Sequence, residues 1–245
     1  MKKLIAAVFA LTACAGFADA KSDAEEGGRL CIWPKDHGKF LFVNAQKTVE
    51  ASRLDRPIGA LAYMMNYDIT LVPGTAPDIR AVKAELTKLG AKGAIWIVED
   101  PALPLALGAF EDGWGYINVA PLVADKPDTK KLDTRIEKMI YRTFGNIHGT
   151  SDSQNMPQCV MKSAVGLAGI DALLCSSFSP EPYFKANSYM AKAGYKHSQR
   201  GTYYEACEGG WAPAPTNDVQ KSIWDEVHQL PTKPIKILPP SKQKK

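Results

Sequence analysis

His148 and Asp152 lie four residues apart and are the close histidine–carboxylate pair in the middle of the chain. Neutral imidazole and carboxylate are both donors to transition metals, so these two are the candidate metal ligands, with zinc the ion that suits them. Two donors leave a tetrahedral site incomplete, and a third group would have to come from elsewhere in the fold. Ser151 completes a serine, carboxylate and histidine group, yet no G-x-S-x-G elbow is present and a polar turn accounts for the three residues. His37, His197 and His228 are scattered, and H-x-x-x-H, H-x-H and H-x-x-E-H do not occur. Neither phosphate-binding glycine pattern, G-x-x-x-x-G-K-[ST] or G-x-G-x-x-G, is present, so nucleotide chemistry has no support.

The segment leading into His148 reads KMIYRTFGNIH (138–148), and CVM (159–161) begins eleven residues after it. In DTRIEKMIYRTFG, the residues Ile136, Ile140 and Phe144 recur at i, i+4 and i+8, and Gly145 sits where the helix is expected to end. Upstream, FLFVN (40–44), YDITLV (67–72), GAIWIVE (93–99) and GYINVAPL (115–122) read as strands, the third apolar enough to be central in a covered sheet. TAPDIRAVKAELTKLG reads as a helix with Thr75 as cap, Pro77 in its first turn and Gly90 as its stop. The order predicts an α/β (α+β) arrangement, a mixed twisted sheet with packed helices over 30–149. A smaller, mostly helical and loop-rich subdomain is expected over 150–231, followed by a basic Pro/Lys tail over 232–245.

Gly145, His148 and Cys159-Val160-Met161, with the strand GYINVAPL before the helix, resemble the metzincin zinc peptidases, most of all the archaemetzincin branch. In that family a helix carries H-E-x-x-H-x-x-G-x-x-H and a methionine turn lies beneath the metal. The resemblance spans about 67–175 and implies a metzincin-like fold in which Gly145 reverses the chain, His148 is the third histidine and Met161 forms the turn. It also places Lys138 and Arg142 at the two helical histidines and Met139 at the catalytic glutamate. Guanidinium and ammonium have no lone pair to offer a cation, and a thioether cannot act as general base. The sequence therefore points to an inherited fold without its reaction, with no cofactor.

The first twenty residues have the form of an export signal, with Lys2 and Lys3, an apolar run and an A-x-A site at Ala18-Asp19-Ala20. Leu11-Thr12-Ala13-Cys14 also resembles a lipoprotein signal, which would make Cys14 a lipidation site and the only expected link to a membrane. In an exported, periplasmic or secreted protein, Cys31, Cys159, Cys175 and Cys207 are candidates for up to two disulfides. The net charge of +4 falls to +3 without the signal, and five lysines of the tail leave the remainder near −2, which excludes a nucleic-acid groove. Tyr183, Phe184, Tyr189, Tyr195, Tyr203, Tyr204 and Trp211 form an aromatic group that serves either as core or as a ligand surface. The expected role is a catalytically inactive pseudo-peptidase that binds a peptide or protein, or scaffolds, at the cell envelope. The alternatives are an active metallopeptidase with non-standard ligands including His148, and an envelope structural protein of unrelated α/β fold.

Overall fold

A computed structural model of the chain describes residues 27–110, 112–150 and 156–229. The expected signal, Cys14, Ser151, Asp152 and the basic tail lie outside the described residues. In chain order the elements are β1 (Arg29–Ile32), β2 (Lys39–Ala45), α1 (Ala51–Met65), β3 (Asp68–Gly74), α2 (Val82–Leu89), β4 (Gly93–Val98), β5 (Ala106–Ala109) and β6 (Trp114–Asn118). They continue with α3 (Ala120–Val123), α4 (Thr129–Ile147), α5 (Gly166–Asp171), α6 (Pro180–Lys192), β7 (Gln199–Thr202), α7 (Tyr203–Glu208) and α8 (Asp218–Gln229). None of these helices is long and apolar enough to cross a membrane.

The chain divides into two units, one over Trp33–Ser198 and one that joins the residues up to Ile32 with those from Gln199 onward. In the smaller unit β1 pairs antiparallel with β7, and Thr202 and Glu205 form a capping box that starts α7. The larger unit is a mixed α/β domain whose sheet has the order β3-β2-β4-β6-β5, parallel except for the antiparallel edge strand β5. One sheet face buries Phe40, Phe42, Ile95, Ile97 and Ile117 against apolar residues of α1 and α4; the other buries Leu41, Val43, Ala94 and Trp96 against Val82 and Leu86 of α2. Burial on both faces explains why β4 is apolar at every position.

Several elements differ from the sequence reading. The helix α1 has no counterpart in the sequence reading; it runs unbroken across Pro57 and Gly59, with Leu54, Ile58, Leu61 and Met65 at a helical period and buried. Residues 106–109, between the expected strands 93–99 and 115–122, form a further strand, β5: Asn118 fixes the approach to it by donating to Asp100 O and Leu103 O at 2.7 and 2.8 Å. The same side chain accepts from Ala120 N, which ends β6 early and turns residues 120–123 into α3. The boundary expected near Gly149 falls inside the larger unit, since α5 and α6 belong to it. No disulfide forms among the described residues: Cys31, Cys159, Cys175 and Cys207 are all free thiols. Cys175 instead donates to Gln158 O at 2.5 Å, and the Cys159 sulfur accepts from Met161 N and Ser179 N.

α4 is buried along most of its length, so its polar residues have to be satisfied inside the protein. Arg135, 1% exposed, makes two forks: NH1 and NH2 reach Asp125 at 2.6 and 2.8 Å, while Nε and NH2 reach Asp171 at 2.7 and 2.6 Å. The guanidinium holds both carboxyls below the usual carboxylate range. Their ionised forms thus favour the folded state above an unfolded pKa of about 4, and that stabilisation is lost as pH falls below it. Arg135→Leu should destabilise the protein at neutral pH, because the Asp125 and Asp171 carboxylates lose the guanidinium and keep only Lys131, 3.3 Å from each, as a cationic partner. Urea unfolding should also show a shallower acid loss in the variant than in the parent; an identical acid limb would mean these carboxylates do not draw stability from Arg135.

Candidate functional site

Lys138 and Arg142 follow Arg135 on the same stripe of α4, at i+3 and i+7, and are 5% and 7% exposed. Lys138 Nζ donates to Ile170 O at 3.0 Å, and burial lowers its pKa from the ordinary lysine value. Arg142 NH1 donates to Val160 O at 2.5 Å and to Lys162 O at 2.7 Å, the carbonyls that flank Met161. Met139 lies in the main core, 4% exposed, among apolar side chains. These three residues do not fit a zinc ion: two are cations whose nitrogens are committed as donors, and the third has no proton-accepting group. Among the described residues no group of three or more His, Cys, Asp or Glu side chains is placed to hold a metal.

Gly145 lies inside α4 and does not end it; the helix runs on to Ile147, and the chain reverses at Gly149, where φ is +76°. What Gly145 provides is close approach. A Cβ there would stand 2.5 Å from Thr150 Oγ1, 2.7 Å from Met161 Sδ and 3.0 Å from the Phe178 ring. The helix therefore packs directly on the Cys159-Val160-Met161 turn, with all three turn residues buried.

His148 folds back on its own helix. Its Nδ1 is 2.7 Å from Phe144 O, a carbonyl that can only accept, so Nδ1 carries the proton and Nε2 keeps the lone pair. The ring is 1% exposed and packs among Phe40, Phe144, Tyr189 and Tyr195, with centroids 4.2 to 6.5 Å away. Burial pushes its pKa down to about 4, against the weaker upward pull of the Phe144 carbonyl. The expected partner Asp152 lies outside the described residues.

Of the aromatic group, Tyr195 and Tyr203 are core, whereas Phe184 and Tyr189 face a cavity of about 740 Å³ that His148 and Gly149 also line. Phe110, Lys185 and Lys192 border the same cavity and were not singled out from the sequence. The available signal was the exposed spacing 181, 184, 185, 188, 192 along α6, which complements its buried residues Pro182, Ala186 and Met190.

No family model matches the sequence, and no curated protein matches it. Among solved structures, the chain is similar to a zinc-dependent peptidase from Methanocorpusculum labreanum, at 15% identity and a TM-score of 0.46, over 61% of this chain and the whole of that one. At that score the likeness assigns no residue a role.

Two measurements probe this arrangement. Alanine is a better helix former than glycine, yet Gly145→Ala should destabilise by about 2 kcal/mol because the added methyl meets Met161 and Thr150, a loss visible in the urea midpoint. For His148, the unfolded state binds the proton first, between an unfolded pKa of about 6.5 and the folded value, so stability falls as pH drops through that window. His148→Phe should flatten the urea midpoint between pH 7 and 4.5, where the parent loses up to about 3 kcal/mol.

Proposed function

We propose that this is an exported, metzincin-like protein without peptidase chemistry, which binds an extended polypeptide at the cell envelope. The observation that carries the reading is Arg142. At the position where the resemblance calls for a histidine ligand, a guanidinium spans the carbonyls of Val160 and Lys162 and occupies the ground beside the methionine turn with its own positive charge. Lys138 adds a second cation on the same stripe, and Met139 removes the base. Like charges raise the cost of placing a divalent ion there.

Peptide binding is supported by the edge strand. β5 pairs with β6 alone among the described residues, so its outer edge offers main-chain N–H and C=O groups, and Leu107 and Gly108 are exposed. An extended chain can add to such an edge without any metal.

The purified full-length protein should contain no stoichiometric zinc and leave fluorogenic peptides uncleaved, before and after treatment with chelator. One zinc per chain, removed by chelator together with proteolysis, would sink the reading; loss of both in His148→Ala would then assign that residue as a ligand. Addition of an extended peptide should slow amide exchange at Leu107 and Gly108.

A further inference from the structure

A second cavity, of about 280 Å³, lies beside the first turns of α4 and is lined by Asp128, Lys130, Lys131, Thr134, Lys138 and Asp171. Lys138 sets it apart from a solvated charged surface. Its side chain is almost fully buried, and burial lowers its pKa. An ammonium carries three N–H donors, yet Nζ gives one to Ile170 O at 3.0 Å and finds no other acceptor among the described residues. Arg135, three residues earlier, has every guanidinium nitrogen on an oxygen. Ile170 is joined to Asp171, which lines the cavity, so the unfilled donors of Lys138 sit at the cavity wall. Unmatched donors on a buried cation are costly, and a ligand oxygen removes that cost.

The two carboxylates of the lining are not equivalent. Both oxygens of Asp171 accept from Arg135, with Lys131 3.3 Å away, so that charge is already compensated. Asp128 caps α4 through Oδ1, which accepts from Lys131 N at 2.7 Å, and its Oδ2 takes no donor from the described residues. An occupant that matches the lining therefore accepts from Lys138 and donates to Asp128. Carboxylate and sulfate have no O–H at neutral pH, and a phosphodiester has none at any pH. Water has both functions but leaves Lys138 without a counter-ion. Hydrogen phosphate supplies acceptors, an O–H and negative charge together.

We propose that this cavity is a binding site for inorganic phosphate, whose oxygens accept from Lys138 Nζ and whose O–H donates to Asp128 Oδ2. The O–H also decides between free phosphate and an ester. A phosphomonoester loses its last proton with a pKa of about 6, whereas inorganic phosphate keeps one at pH 8. The site uses neither β5 nor the cavity at His148, so it stands apart from the peptide-binding role.

The test titrates the full-length protein at pH 8 and fixed ionic strength with phosphate, sulfate and glycerol 3-phosphate, followed by amide chemical shifts. Phosphate should bind saturably and shift resonances of Lys131, Ile170 and Asp171, with sulfate and the ester each about tenfold weaker, the scale of one hydrogen bond to a charged group. Lys138→Met keeps a buried aliphatic stem without the ammonium and should abolish saturable binding. Asp128→Asn retains the helix cap but replaces the free acceptor by an amide, and should erase the preference for phosphate over sulfate. Should Lys138→Met fail to fold, Asp128→Asn decides. Absence of saturable binding, equal affinity of the parent for phosphate and sulfate, unchanged binding in Lys138→Met, or an unchanged preference in Asp128→Asn would overturn the proposal.

Discussion

A buried positive charge is tolerated only where oxygen atoms surround it, and α4 carries three such charges on one stripe, at Arg135, Lys138 and Arg142. Their partners come from what precedes and follows the helix: the Asp125 and Asp171 carboxylates for the first, the Ile170 carbonyl for the second, and the Val160 and Lys162 carbonyls for the third. The segment from 159 to 171 is therefore drawn along the helix in sequence order reversed, with residue 160 near 142 and residue 171 near 135. The methionine turn and α5 take their places because the charges on α4 require acceptors there.

That anchoring works together with close packing. Gly145 lets α4 approach Met161, while Arg142, one turn earlier, ties the carbonyls on either side of the same methionine. A bulkier residue at 145 would lift the helix from the turn and lengthen the guanidinium contacts, so the two residues act on one interface. His148 completes it from the other side. Its ring fills the space under Phe40 and Tyr195 and its Nδ1 satisfies a carbonyl in the last turn of the helix.

Much of the central architecture was legible. Four strands and the helices α2 and α4 were readable because the strands are short runs rich in β-branched, aromatic and other apolar residues and the helices repeat apolar residues at close to four, and because burial of those surfaces drives folding. The juxtaposition of Gly145 with Met161 was implied by resemblance, but the role of the glycine was not: the same residue type serves a turn through its backbone freedom or a contact through its missing Cβ, and sequence does not separate the two. β5 and α1 escaped for local reasons. The approach to the strand is held by the Asn118 side chain, and the helix carries an internal proline, a residue that argues against helix, yet runs unbroken from Ala51 to Met65.

The residue types at 138, 139 and 142 decided by themselves that α4 carries no zinc-binding triad, since donor chemistry is a property of the side chain and needs no coordinates. What those cations do was settled only by the tertiary structure, because their acceptors are main-chain carbonyls that every residue possesses and that composition cannot mark. The same holds for the cavity. Phe110, His148 and Lys192 are far apart in sequence and ordinary in type, and only the packing of α6 beside the end of α4 brings them to the lining of one cavity.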